Sequence, residues 1–179
     1  MRKINEIFYS LQGEGYHTGT PAIFVRFSGC NLRCSFCDTK HEDGKQMSDE
    51  EILHEIQKYP GKHVVLTGGE PSLWIDEKFV SLLKDNGLYV QIETNGTHAL
   101  PSNIDWITFS PKENWTLIHS DELKVVWQGQ DLSQWEQFDA KHKYLQPCSC
   151  QNTAEIVDYI KAHPIWRLSL QTHKLIGIE

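Results

Sequence analysis

Short runs rich in β-branched and aromatic residues recur along the chain, and nearly every one ends in a polar or glycine-bearing stretch. Ala22 to Phe27 leads into a cysteine-rich loop, His63 to Leu66 into Thr67-Gly-Gly-Glu-Pro71, and Tyr89 to Ile92 into Glu93-Thr-Asn-Gly96. Ile104 to Phe109 ends in Ser110-Pro-Lys112, and Leu123 to Trp127 carries Lys124 inside it. Tyr144 to Gln146 ends at Pro147, and Arg167 to Gln171 runs into Thr172-His-Lys174. Strands alternating with helical segments predict a parallel sheet with crossover helices. Polar motifs at the carboxyl ends of such strands are where α/β barrels gather their active sites. Helical patterns are too few to follow every strand. The expected fold is therefore α/β, an incomplete TIM-like barrel of about six mostly parallel strands with reduced crossover helices.

The helices themselves are legible from caps and stripes. Ser48 with Glu51 forms a capping box ahead of the apolar stripe Ile52, Leu53 and Ile56. A second helix is expected over Ile75 to Asn86, with Phe79, Leu82 and Leu83 on one face and Gly87 as its stop. A third is expected over Thr153 to Ala162, with Asn152 as N-cap. Ile4 to Tyr9 reads as a strand, followed by the glycine-punctuated turn Leu11-Gln-Gly-Glu-Gly15. Gln128 to Lys141 is polar with scattered aromatics and matches neither template. Residues 1–179 read as one domain, long enough for a sizeable core.

Cys30, Cys34 and Cys37 give one tight loop three thiols. Thiolates are soft ligands suited to iron–sulfur clusters, zinc and copper(I). A [4Fe–4S] cluster usually takes four cysteines, so a loop with three leaves one iron open to a small molecule. Zinc is the bland reading, with Cys148 or Cys150 as a fourth thiolate and His41 nearby. Zinc sites usually pair two knuckles of similar spacing, and that second knuckle is missing.

An odd total of five cysteines, three of them clustered, argues against a disulfide framework and for a reducing cytoplasm. No apolar run is long enough to span a bilayer and no signal stretch opens the chain. A formal net charge of −7 offers no general attraction to nucleic acid, so a small substrate is expected. Gln12 and Glu14 offer an amide and a carboxylate to a polar heterocycle, or belong to an ordinary loop. Arg26, in an otherwise apolar strand, needs an anion or an acidic partner, because an unpaired buried charge is costly. Glu70 either meets an ammonium group or is a solvated carboxylate after a glycine turn.

The cysteine loop and Gly68-Gly-Glu-Pro71 resemble the radical S-adenosylmethionine (SAM) superfamily, in which the open iron holds the amino and carboxylate groups of SAM. Phe36, an aromatic just before the third cysteine, fits that pattern. Leu11-Gln-Gly-Glu-Gly15, Phe24-Val-Arg26, Asp38-Thr39, Leu145-Gln-Pro147 and Gln171-Thr-His-Lys174 narrow the resemblance to the 7-carboxy-7-deazaguanine synthase family of the 7-deazapurine (queuosine) pathway, which serves tRNA modification. These stretches span nearly the whole chain.

The resemblance implies a lyase that converts 6-carboxy-5,6,7,8-tetrahydropterin to 7-carboxy-7-deazaguanine with loss of ammonia, using a 5′-deoxyadenosyl radical. It implies a [4Fe–4S] cluster on Cys30, Cys34 and Cys37, SAM, and magnesium on Thr39. A threonine capping its own loop is the plainer account of Thr39. Leu11, Gln12, Gly13, Glu14, Arg26, Thr67 and His173 would meet the substrate. Phe36, Asp38, Gly69, Glu70, Ser110, Pro111, Lys112, Gln146, Pro147, Cys148 and Ser149 would meet SAM. The terminal carboxylate of Glu179 is expected to reach the pterin, against the usual fraying of chain ends. An electron donor such as flavodoxin or ferredoxin and a homodimer follow as expected partners. The alternatives are a glycyl-radical-enzyme activase of the same superfamily and a zinc-stabilised interaction module.

Overall fold

The computed structural model describes residues 1–148 and 151–178. The strands are β1 (Arg2–Leu11), β2 (Pro21–Phe27), β3 (Lys45–Met47), β4 (His63–Gly68), β5 (Tyr89–Thr94), β6 (Trp106–Phe109), β7 (His119–Trp127), β8 (Asp139–Pro147) and β9 (Arg167–Leu168). Among the described residues they form one nine-stranded sheet in the order β3-β1-β2-β4-β5-β6-β7-β8-β9. From β2 through β9 every pairing is parallel, and only β1 and β3 run against their neighbours. The sheet is open, with β3 and β9 at its edges. The expected incomplete barrel of about six mostly parallel strands is met by β2, β4, β5, β6, β7 and β8, to which the antiparallel β1 and β3 and the two-residue β9 add.

Helices α1 (Asp49–Ile56) and α2 (Glu77–Asp85) cover β2, β4 and β5, while α3 (Ser133–Glu136) and α4 (Thr153–Ala162) cover β7 and β8. The Ser48 box is formed in both directions. α2 starts later than expected, because Asp76 caps it by accepting from the Phe79 N–H. Asn152 occupies the N-cap of α4 but makes no side-chain capping bond. β5 to β6 and β6 to β7 are joined without a helix, as the shortage of helical patterns predicts.

Side-chain alternation along the strands sorts the chemistry. Side chains at every second position share a face. On the convex face Val25, Phe27, Leu66 and Ile92 pack against Ile52, Ile56, Phe79 and Leu83. Further along it Leu123, Val125 and Leu145 pack against Trp135, Phe138, Ile156 and Trp166. The aromatics of the unassigned 128–141 stretch are therefore core: Trp135 and Phe138 stand 6.2 and 5.1 Å from the Phe109 ring. The intervening positions, such as Arg26, Thr67, Glu93, Glu122, Lys124 and Gln146, belong to the opposite, concave face. Arg2 ties the helical layer down. It bonds Asp49 at 2.7 Å, reaches Asp76 at 3.3 Å and donates to the Trp74 carbonyl.

The concave face is floored by the loop between β1 and β2, residues 12–20. The Gln12 amide donates to Glu93 on β5 at 3.0 Å, and the Tyr16 N–H to Glu122 on β7 at 3.1 Å. The Gly15 N–H donates to Ser169, just past β9, at 3.0 Å. The Thr172 N–H donates to the Gly13 carbonyl at 2.9 Å. The loop thus spans the gap that an open sheet leaves between its two sides. These same bonds explain why the last strand does not run from Arg167 to Gln171. The Ser169 N–H still donates to Leu145 of β8 at 2.9 Å, but beyond it the chain bonds the floor loop and begins α5 (Thr172–Ile176), so Thr172-His-Lys174 lies on a helix rather than at a strand end. Glycine is needed here for approach to protein side chains. A Cβ at Gly13 would stand 2.1 Å from His173, and one at Gly15 would stand 1.9 Å from the Glu122 carboxylate.

Beneath the floor Tyr16 stacks on Trp106 and His142, and His17 meets His63 and Trp106 edge-on. Burial, together with His63 and His142 nearby, pushes the His17 pKa down to about 4. Among the described residues no helix is long and apolar enough to cross a membrane.

Candidate active site

Above the floor, at the carboxyl ends of the parallel strands, lies a cavity of about 490 Å³. It brings together Cys30, Cys34 and Cys37 from the loop after β2, Thr67 near the end of β4, and Gly69 and Glu70 just past it. Ser110 and Lys112 follow β6, Gln146 and Pro147 come from the end of β8 with Cys148 just past it, and His173 comes from α5. Leu11, Gln12, Gly13 and Glu14 close it from below, and Arg26, Phe36, Asp38 and Thr39 complete its wall. Among the described residues, every site residue named from the sequence lines this one cavity except Pro111. Ser149 and Glu179, with Cys150, lie outside the described residues.

The thiols are free, and the loop positions them without a disulfide. The Leu32 N–H donates to Cys30 Sγ at 3.4 Å, and burial raises the Cys30 thiol pKa. Among the described residues no three His, Cys, Asp or Glu side chains converge on a single-ion site. A four-iron cluster makes a different demand, one thiolate at each of three separate corners, and a single loop carrying three soft donors suits it.

The Gly68-Gly-Glu-Pro71 loop holds the cysteine loop directly. Gly69 N–H donates to the Phe27 carbonyl at 3.1 Å and Glu70 N–H to the Gly29 carbonyl at 2.9 Å. A Cβ on Gly69 would stand 2.0 Å from the Gly29 oxygen, so glycine is what lets the two backbones meet. Glu70 is not the solvated carboxylate of a plain glycine turn. It is 1% exposed, and its oxygens accept from the Thr94 hydroxyl at 2.6 Å, the Asn95 N–H at 2.7 Å and the Ser72 N–H at 3.0 Å. Asn95 in turn donates to Asn31 in the cysteine loop at 3.0 Å. One carboxylate thus organises three strand-end loops.

Arg26 has an acidic partner: its Nε donates to Glu6 at 2.6 Å, and its guanidinium stands 5.5 Å over the Phe8 ring at the cavity wall. Lys112 bonds the Ser110 hydroxyl at 2.8 Å and stands 5.5 Å over the Phe36 ring. Burial lowers its pKa, with the positive charge of Lys124 adding to the effect. Asp38 is held by Lys174 at 2.5 Å and by the Gln171 amide at 3.2 Å, bonds that outweigh burial and lower its pKa.

The feature that motif reading passed over is ionic. Lys124 is 4% exposed, and its Nζ lies 2.5 Å from Glu14 and 3.7 Å from Glu93. Glu122, two positions earlier on the same face of β7, is 1% exposed, and burial raises its pKa to about 7. Gln171 bridges Glu14 at 2.9 Å to Asp38. The one signal for these residues was charge inside otherwise apolar runs, which in a strand marks the face turned away from the core.

Comparison with known proteins decides the family. The Radical SAM superfamily model matches residues 24–111, from β2 through the loop after β6. The 7-carboxy-7-deazaguanine synthase of Bacteroides thetaiotaomicron is 64% identical over 181 aligned positions, covering all of both chains. The chain belongs to the 7-carboxy-7-deazaguanine synthase family. The Haemophilus influenzae 7-carboxy-7-deazaguanine synthase is 39% identical, with 98% of this chain and 93% of that protein covered. The crystal structure of QueE from Escherichia coli superposes with a TM-score of 0.83 at 34% identity, covering 96% of this chain and 94% of that one. A 7-carboxy-7-deazaguanine synthase fold of this kind, with radical SAM motifs at its strand ends, implies a [4Fe–4S] cluster and SAM.

Proposed function

We propose that the chain carries out the reaction for which its relatives are named, the formation of 7-carboxy-7-deazaguanine, and that it does so from 6-carboxy-5,6,7,8-tetrahydropterin with loss of ammonia. The observation that carries this reading is that one cavity joins the three-thiol loop to a floor of amide and carboxylate groups and a wall with Arg26. When bound, the cluster and SAM supply a 5′-deoxyadenosyl radical that removes hydrogen from substrate.

The chain's own groups divide the remaining work. Cys30, Cys34 and Cys37 would hold the cluster. Phe36, Asp38, Gly69, Ser110, Lys112, Gln146, Pro147 and Cys148 would contact SAM, with Glu70 bracing their loops from behind. The Nη atoms of Arg26 and the imidazole of His173, both in the cavity lining, would donate to the substrate carboxylate. Gln12 and Glu14 would take the pterin edge, which mixes donors and acceptors. Thr39 would offer its hydroxyl to magnesium, a hard cation that prefers oxygen and keeps several waters. Residues 1–179 acting as one domain, a cytoplasmic setting, a homodimer and a donor such as flavodoxin or ferredoxin belong to the same proposal.

The test is anaerobic incubation of reconstituted protein with the carboxy-tetrahydropterin, SAM and dithionite. The expected result is 7-carboxy-7-deazaguanine with SAM conserved. Iron-loaded protein that cleaves SAM yet yields no deazaguanine would overturn the reading in favour of an activase, and zinc in place of iron would leave only the interaction module.

A further inference from the structure

We propose that Lys124 is a positioning residue, whose buried ammonium holds the carboxylates of Glu14 and Glu93 side by side in the pocket floor as acceptors for the N–H edge of the bound heterocycle. This rests on the pterin reading above and goes beyond it, since Lys124 acts through its partners.

The geometry is that of a shared cation. Glu14 comes from the loop after β1, Glu93 from the end of β5, and both line the cavity. Gln12 ties the loop backbone to Glu93, donating to it and accepting the Glu14 N–H, and Lys124 Nζ joins the two carboxylates themselves, at 2.5 and 3.7 Å. Each carboxylate is fixed by a second bond as well: Gln171 donates to Glu14 at 2.9 Å and Gln12 to Glu93 at 3.0 Å. Acceptor capacity remains on both, since a carboxylate has about four lone-pair sites. Glu122 lies outside the cavity lining, takes the Tyr16 N–H and acts on Lys124 through its charge. Two carboxylates therefore contact one ammonium and a third acts on it through its charge, an arrangement that stability alone does not call for. A buried ion pair can usually be replaced by packed apolar groups at no loss, so a buried excess of acid at a pocket floor points to a ligand that needs acceptors.

The charged groups facing Glu14 from the elements packed on it are Lys124, Lys112 in the loop after β6, and His173 on α5. Glu122 faces Lys124 and Glu93. Burial opposes the charge on Glu14, yet Lys124 overrides it and lowers the Glu14 pKa. Burial likewise opposes the Lys124 ammonium, and the three carboxylates raise its pKa above the ordinary lysine value.

Lys124→Met keeps length and removes the charge. Substrate affinity is measured on cluster-loaded protein without reductant, as the ratio of variant to wild-type Kd at each pH, which cancels the titration of the pterin itself. The ratio at pH 7 is expected to rise about ten- to a hundredfold, the scale of a lost charge-assisted bond. It should shrink as pH rises, because an unpaired Glu14 then regains its charge. SAM affinity stays within about twofold, since Lys124 bonds only the floor carboxylates. Adding Glu122→Gln removes one of the crowded acids and should recover part of the affinity. A ratio near one, or a pH-independent loss that Glu122→Gln does not relieve, overturns the proposal. If Lys124→Met alone does not fold, the double variant decides. Binding weaker than wild type with a ratio that narrows at high pH supports positioning, and wild-type binding overturns it. A wild type that binds the carboxy-tetrahydropterin while Lys124→Met binds equally sinks this inference alone. A wild type that does not bind it sinks the proposed function too.

Discussion

Glu70→Ala tests whether the carboxylate of the Gly68-Gly-Glu-Pro71 loop is a brace or a ligand. The substitution deletes the acceptor of three donors: the Thr94 hydroxyl, the Asn95 N–H and the Ser72 N–H. The hydroxyl can rotate to another partner. The two backbone donors cannot, and each buried donor left without an acceptor costs about 1–3 kcal/mol. Ser72 is half-buried, so water can reach its N–H, whereas Asn95 is 8% exposed and cannot be rescued as easily. The expected loss is therefore about 3–4 kcal/mol, a large part of the roughly 5–15 kcal/mol that holds a domain of this kind together. With a urea slope of about 2 kcal/mol per molar, the unfolding midpoint should fall by about 1.5–2 M. Glu70→Gln keeps the shape but turns an amide N–H toward one donor, and should lose about half as much. Urea unfolding followed by far-ultraviolet circular dichroism on cluster-free protein gives both values. The cluster-loaded variants should also release iron to a chelator faster, because Asn95 reaches Asn31 in the cysteine loop. A Glu70→Ala midpoint within about 0.3 M of wild type would refute the brace, since that lies near the error of linear extrapolation.

Replacing Cys30, Cys34 or Cys37 by alanine should abolish cluster absorbance and reductive SAM cleavage, while Cys148→Ala retains both; iron lost from Cys148→Ala would mean that the cluster has a fourth thiolate. Thr39→Val should lower turnover and its response to added magnesium with SAM still bound, and an unchanged magnesium response removes the assignment of Thr39 to the metal. Stability should fall on acidification through His17, whose folded pKa of about 4 lies below its ordinary 6.5. The unfolded chain binds more protons between those two values, so stability is complete above pH 6.5 and declines as pH drops toward 4. Burial lowers the pKa of His63 and His142 as well, which adds in the same direction, and partial exposure of His17 reduces its share. Thermal melts of His17→Phe across that range should show a flatter decline than wild type, and an identical slope would clear His17 of the effect.

The features legible in the sequence are those whose cause is local. A capping box needs only Ser48 and Glu51 at the right spacing, and α1 begins where they put it. Three thiols on one loop need only that loop. Glycines and polar groups at the ends of short apolar runs mark one rim of a parallel sheet, because every strand in such a sheet delivers its carboxyl end to the same side. Charge inside a strand was equally visible, since Lys124 interrupts Leu123 to Trp127 in plain sight. Its partners were not. Glu14 is 110 positions away, and the two meet only because the β1–β2 loop crosses the concave face instead of turning tightly at the strand ends. Nothing in Leu11 to Gly15 dictates that crossing; it follows from bonds to Glu93, Glu122 and Ser169 on strands formed much later in the chain. The same holds at the carboxyl end. Arg167 to Gln171 has the composition of a strand, yet the bonding to β8 ends with the Ser169 N–H, and Gly13 takes the Thr172 N–H. Trp135 and Phe138 looked like scattered aromatics because their packing partner, Phe109, lies on another strand. Spacing along the chain determined which groups the protein would bring to its active rim. Closing the open sheet with a loop rather than a strand decided which charges sit beneath the ligand, because that closure depends on hydrogen bonds between segments that share no local pattern.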